Sequence, residues 1–200
     1  TYPVYAGKSN SAENRCTEIT VTLEEQAGAQ RYFDVILRAY DDGAALRYIV
    51  PQQAGIADYD LTAELTQFAL NGTDTLWAQT VTQFYKNHYE HKYQQITVDS
   101  LPEGSFVQLP LVFKNSGYAG AISEAELKDY AGLYLQKTGS LFIAAISRTG
   151  DNPVVVRSEA GLTTPWRLVM LEKRAVDLIG SDLVMNLSSP CAIDDPSWIR

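Results

Sequence analysis

The residues best suited to chemistry lie in ISEAELKDYAGLYL, residues 122–135, where Glu124, Glu126 and Asp129 are set among apolar side chains. A surface loop has no need of that apolar frame, and a core strand would not tolerate the acids. In a strand, Ile122, Glu124 and Glu126 share one face. A carboxylate at a strand end can ligate Ca²⁺, a hard cation that gathers roughly six to eight oxygen donors. One short stretch cannot supply that many, so a site using Glu124 would be shared with another part of the structure. The segment SEAELKDYA also reads as a short turn of helix with Ser123 as its cap. On residue types alone, a structural role for these acids outweighs a metal.

The histidines, His88 and His91, fall in HYEHKY. Their spacing would put them on opposite faces of a strand, so they read as a solvated loop, not a metal pair. The sequence contains no Gly-x-Ser-x-Gly elbow, phosphate-binding loop or Rossmann glycine pattern. Asp41 and Asp42 sit in a hairpin turn, and Asp194 and Asp195 precede Pro196; both pairs read as turn residues capping backbone N–H groups. Asn71-Gly72-Thr73 and Asn186-Leu187-Ser188 match the glycosylation triplet, which matters only in a eukaryotic secretory setting.

The net charge of −8 and pI of about 4.7 argue against nucleic acid and against anionic membranes, since no basic stripe offsets the acids. No run is long and apolar enough to span a bilayer as a helix. Cys16 and Cys191 form no metal motif and read as small buried apolar residues, or as a pair in an oxidising compartment. The chain starts TYPVYAGKSN without a methionine and stops at SWIR, so both ends read as cut.

The elements that would position these residues show a period of two. EITVTLEE puts Ile19, Val21 and Leu23 on one face. RYFDVILRAYDDGAALRYIVP reads as a hairpin with Phe33, Val35, Leu37 and Ala39 inward and a turn at Asp42-Gly43. LTQFAL, TLWAQT, FVQLPLVF, YAGAISE, GLYLQK, SLFIAAIS, PVVVRS and PWRLVMLEK continue the pattern between turn signals. RAVDLIGSDLVMNL begins as one helical turn on Ala175, Leu178 and Ile179, and resumes strand alternation at Leu183, Met185 and Leu187. The residues thus define one all-β domain without linkers or repeats.

Four stretches carry a resemblance to a known family: TEITVTLEE after GKSNSAENR; LRAYDDGAALRY; ISEAELKDYAGLYL; and TPWRLVMLEKRAVDLIGSDLVMNLSSPCAIDDPSWIR. Together the chain resembles part of the amino-terminal domain of glycoside hydrolase family 97, from about Gly7 to Arg200. The resemblance implies a galactose-mutarotase-like β-supersandwich of antiparallel sheets. It implies an α-glycosidase acting on terminal α-glucosides or α-galactosides. The catalytic (β/α)₈ barrel would follow Arg200, and no catalytic residue would lie in these 200 positions. The resemblance also implies opening strands ahead of those read here. By motif, Glu124 corresponds to the glutamate that this domain lends to a Ca²⁺ shared with the barrel. Tyr89 and Glu90 resemble a segment near the substrate pocket. The expected partners are an α-linked oligosaccharide and the barrel of the same polypeptide, in an exported, periplasmic bacterial enzyme. The rival expectation is a stand-alone carbohydrate-binding module stacking sugars on Trp77, Tyr89 or Trp166.

Overall fold

The computed structural model describes residues 1–5, 7, 9–82, 90–159 and 161–199. The strands in chain order are β1 (Tyr2–Pro3), β2 (Ser11–Ala12), β3 (Thr17–Glu24), β4 (Tyr32–Tyr40), β5 (Gly43–Val50) and β6 (Tyr59–Leu61). Next come β7 (Gln67–Ala69), β8 (Thr75–Ala78), β9 (Thr80–Val81), β10 (Gln94–Thr97), β11 (Phe106–Gln108) and β12 (Leu111–Lys114). The last six are β13 (Ala119–Ala125), β14 (Leu133–Thr138), β15 (Leu141–Ile146), β16 (Val156–Ser158), β17 (Leu162–Thr163) and β18 (Trp166–Glu172). A 3₁₀ turn at Asp177–Gly180 and one short helix, α1 (Leu183–Leu187), follow. The fold is an antiparallel β-supersandwich, as the resemblance implied.

Nine strands form the large sheet, in the order β10-β8-β12-β13-β18-β5-β4-β3 with β17 beside β5; five form the small one, β7-β15-β14-β11-β9. The small sheet packs on one end of the large one. Leu76, Leu111, Phe113 and Ile122 of the large sheet meet Val107, Leu135, Phe142 and Ile146 of the small one in a buried apolar core. Burial of such side chains contributes about 1.5–3 kcal/mol each. The far end of the large sheet is not covered. Ile19, Val21, Leu23, Phe33 and Leu37 alternate as the sequence requires, and their register places them on one face, yet each is exposed. The period of two holds, but this face does not point into a core, because the small sheet stops short of β4 and β3.

Several local expectations are corrected. The hairpin turn is Asp41-Asp42, with Tyr40 opposite Gly43. Gly43 belongs to the strand, where a Cβ would lie 2.3 Å from the Val169 carbonyl oxygen and 2.8 Å from Leu183 Cδ2. The glycine is needed for close packing, not for a turn. Asp41 pairs with Arg15, and the Asp42 carboxylate accepts from Ser181 at 2.6 Å, so both tie the turn to distant segments instead of capping it locally. Residues 183–187 are helical: Leu183 and Leu187, four apart, are buried on one side while Met185 is exposed. SEAELKDYA contains no helix; the strand runs on through Ala125. Cys16 and Cys191 are both free and exposed, against either reading of them.

The other face of the large sheet packs under α1, where Ala45, Ala125, Trp166 and Leu168 meet Leu183 and Leu187. Asn186 fastens this cap. Its side-chain oxygen accepts from the Tyr2 hydroxyl at 2.9 Å, its side-chain nitrogen donates to the Glu13 carbonyl at 3.1 Å, and its own carbonyl accepts from Asn14 at 2.9 Å. It is buried, whereas the sequon reading required surface exposure.

Candidate functional site

β13 and β18 pair antiparallel with Glu124 opposite Arg167. Both side chains point to the face that carries Ile122 and Val169, toward the edge of the small sheet. The Arg167 guanidinium is fully enclosed, with side-chain exposure of 0%. Its Nε and Nη2 donate to the two oxygens of Glu64 at 2.8 and 2.6 Å, a bidentate pair. Its Nη1 donates to Glu124 Oε2 at 2.7 Å. Glu124 Oε1 accepts from the backbone N–H of Leu133 at 3.2 Å.

Further donors complete the Glu64 carboxylate. Thr66 Oγ1 donates at 2.7 Å and Tyr130 Oη at 3.2 Å, while Tyr48 and Thr66 share a hydroxyl contact of 2.9 Å. Burial pushes the Glu64 carboxyl up, but the hydrogen bonds and charge of Arg167 outweigh it, and Thr66 and Tyr130 add to them; it is held below the usual carboxylate range. Burial and the adjoining Glu64 carboxylate push the Tyr130 phenol well above its ordinary value. The phenol therefore stays a donor, and its ring lies 5.5 Å from the Arg167 guanidinium carbon.

The charges do not cancel. One guanidinium faces two carboxylates, which leaves one negative charge in excess. Glu64 (5% side-chain exposure) takes the bidentate pairing, and the outer carboxylate, Glu124 (17%), has only a single contact to Arg167. A carboxylate offers about four acceptor positions, and among the described residues Glu124 uses two. The excess charge thus sits at the outer end of the network. Gly132 lies between the Glu124 carboxylate and Ser147, and a neighbouring recess, which Glu124 does not line, is formed by Ala131, Ser147, Arg148, Thr149, Asn152, Val154 and Val155.

Glu126 does not share this face. The strand ends at Ala125, and Glu126 takes φ of 60°, a left-handed backbone that non-glycine residues adopt only when fixed by their surroundings. Its carboxylate accepts from the backbone N–H and hydroxyl of Ser189 and pairs with Lys128 at 2.6 Å. Burial alone would push it up, but Lys128 and Ser189 bring it down to about 2. Asp129, at φ of 49°, lies in the same turn. Glu126 therefore anchors the loop to the segment after α1, Asp129 is exposed in the same turn, and Glu124 alone of the three turns in to Arg167.

Tyr89 and His88 lie outside the described residues. Glu90 and His91 beside it are both exposed. Trp166 is 1% exposed and Trp77 half-buried, so Trp166 is no platform for a sugar, against the binding-module expectation. Among the described residues no three acids, histidines or cysteines converge as a metal site would require. Glu64 was missed in the sequence. The available signal was Arg167 itself, a cation within the apolar run PWRLVML, which in a buried strand demands an anionic partner.

The fold and this network together define a β-supersandwich domain with a buried ion network at its rim. The model of the glycosyl-hydrolase 97 N-terminal family matches residues 1–190, and the chain belongs to that family. It is 28% identical over 200 residues to a probable retaining alpha-galactosidase of Streptomyces bingchenggensis, covering all of this chain and 29% of that protein. It is 25% identical over 197 residues to a retaining alpha-galactosidase of Bacteroides thetaiotaomicron, covering 84% of this chain and 29% of that protein. A glycoside hydrolase family 97 enzyme of Pseudoalteromonas sp. strain K8, solved with acarbose, superposes with a TM-score of 0.89 at 32% identity, covering 100% of this chain and 30% of that one. The chain spans under a third of the length of these relatives.

Proposed function

We propose that these 200 residues form the amino-terminal domain of an α-glycosidase that hydrolyses terminal α-glucosides or α-galactosides. In this reading the domain packs on a catalytic barrel of the same polypeptide and presents Glu124 to a Ca²⁺ shared with it. The observation that carries the proposal is the uncancelled negative charge of the Arg167 network, displaced onto its outermost carboxylate. Family membership, and relatives named as α-galactosidases or solved with acarbose, support the substrate class.

Glu124 fits the part of a single oxygen donor. Its free acceptor positions suit a hard cation, and the remaining ligands would come from polypeptide beyond this domain. When bound, the ion would supply fixed positive charge beside the substrate's leaving group. This chain's residues would do the rest here: Arg167 and the Leu133 N–H hold the carboxylate at one angle, and Glu64 holds Arg167. The acid and base of glycoside hydrolysis would lie in the barrel. Tyr89 and Glu90 are assigned to the neighbourhood of the substrate pocket, and the enzyme to an exported, periplasmic location, on the family resemblance alone.

The deciding experiment is Ca²⁺ titration of the full-length protein and its Glu124→Gln variant, followed by terbium luminescence. The affinity should fall by about tenfold or more, equivalent to about 1.4 kcal/mol. An unchanged affinity in a folded variant would refute the assignment of Glu124. The isolated 200-residue domain should not turn over an aryl α-glucoside; measurable turnover would contradict the placement of catalysis outside it.

A further inference from the structure

We propose that Arg47 is the receptor for a carboxylate, on the face of the large sheet opposite the Arg167 network. Arg47 lies one residue beyond the Leu46–Arg167 pair, so its side chain stands on the Trp166 side of the sheet. Its guanidinium carbon is 4.3 Å from the centre of the Trp166 ring. Arg38 lies over the same ring at 4.6 Å.

The two guanidiniums differ in their anions. Arg38 donates to Glu18 at 2.7 Å. The Arg47 side chain makes no ion pair and no hydrogen bond among the described residues, and its Nε is buried without an acceptor. Burial, and then the charge of Arg38, press Arg47 toward losing its proton. A half-buried cation beside a second cation, with an orphaned N–H, is costly unless an anion completes it. The shortfall does not reflect a scarcity of acids, because the chain carries 24 acidic against 16 basic side chains. Glu126 and Glu18 are near enough for their charge to be felt, but the oxygens of Glu126 are committed to Ser189 and Lys128, and Glu18 is engaged by Arg38.

The unused donors form a planar fork, and the indole fixes that plane from below. A planar carboxylate, accepting two parallel hydrogen bonds, is the complementary group. It could belong to an acidic side chain in the rest of the polypeptide or to a free acid such as a uronate. Neither source depends on a cation at Glu124.

The test uses the full-length protein, with Arg47→Met and Arg47→Lys. Methionine keeps an apolar stem on Trp166 and removes the charge. Arg47→Met also gives up the guanidinium contact with the Trp166 ring, so its fall is read against Arg47→Lys, which keeps a cation over the ring and loses the fork. The proposal requires a fall of about 3 °C or more in both variants, or a saturable rise of the wild-type midpoint with glucuronate or acetate and not with glucose. A rise with free carboxylate that both variants abolish assigns a soluble ligand. A matching fall in Arg47→Lys and Arg47→Met without any response to added carboxylate assigns a side chain of the same polypeptide. No response to carboxylate together with a wild-type midpoint in Arg47→Lys overturns the proposal.

Discussion

The two ends of the large sheet carry the same alternation and have opposite fates. At the β12–β13 end, Leu111 and Ile122 are fully buried beneath the small sheet. At the β3–β4 end, Ile19 and Leu37 pair in the same manner and remain 59% and 38% exposed. Alternation specifies which side of a strand is apolar; it does not specify what lies above that side. The ion network stands at the boundary between the two ends, where β18 and β5 pass out from under the small sheet and polar groups meet both core and solvent.

Breaking this comparison gives a ranked set of outcomes. The largest effect belongs to Arg167→Met, which leaves Glu64 and Glu124 facing one another without a cation. Urea unfolding should show a loss of about 3–5 kcal/mol, the range for breaking a buried ion pair from one side. Leu135→Ala, in the covered core, should cost about 2–5 kcal/mol by the same measurement. Glu126→Gln removes the charged staple to Ser189 and Lys128 and should cost about 1 kcal/mol, much of it as loosening of loop 126–129 seen by proteolysis. Ile19→Thr, on the bare end, should change stability by less than about 0.5 kcal/mol while reducing self-association in light scattering. A cost for Ile19→Thr as large as that for Leu135→Ala would show that the bare end is covered in solution and would dissolve the contrast.

Acid sharpens the same boundary. Glu126 is depressed from an ordinary 4.5 to about 2, so its contribution is fully present above the unfolded value and is lost as the pH falls from about 4.5 through about 2. Glu64 shifts in the same direction. An acid titration of wild type against Glu126→Gln should show the two stability curves converging over that window. Parallel curves would mean that the staple is not ionic.

Much of the fold could be read in the sequence, because alternation, turn residues and the Asp-Asp-Gly hairpin are local properties. The exceptions arose where tertiary contacts decide. Leu183, Met185 and Leu187 fit a strand as well as they fit a helix, and only burial of Leu183 and Leu187 together against Trp166 and Leu168 distinguishes the two. Gly43 resembled a turn residue until the Val169 carbonyl was found where its Cβ would be. In the site, the prominence of Glu124 was legible, but its partner was not. Glu64 and Arg167 are 103 positions apart, and no periodicity links them. Cys16 and Cys191 look like core residues by type, yet they lie on the surface.

Asn186 has a consequence for how the molecule breathes. Asn186 ties Tyr2 and Glu13 to the helix that caps the sheet through its side chain and Asn14 through its backbone carbonyl, beside the separate pair from Arg15 to Asp41. Arm and helix should open together as one cooperative unit, and their backbone amides should exchange with deuterium at a common free energy. Loss of the Asn186 side chain would cut the ties to Tyr2 and Glu13 and leave the Asn14 bond to the backbone as the remaining hinge between arm and helix.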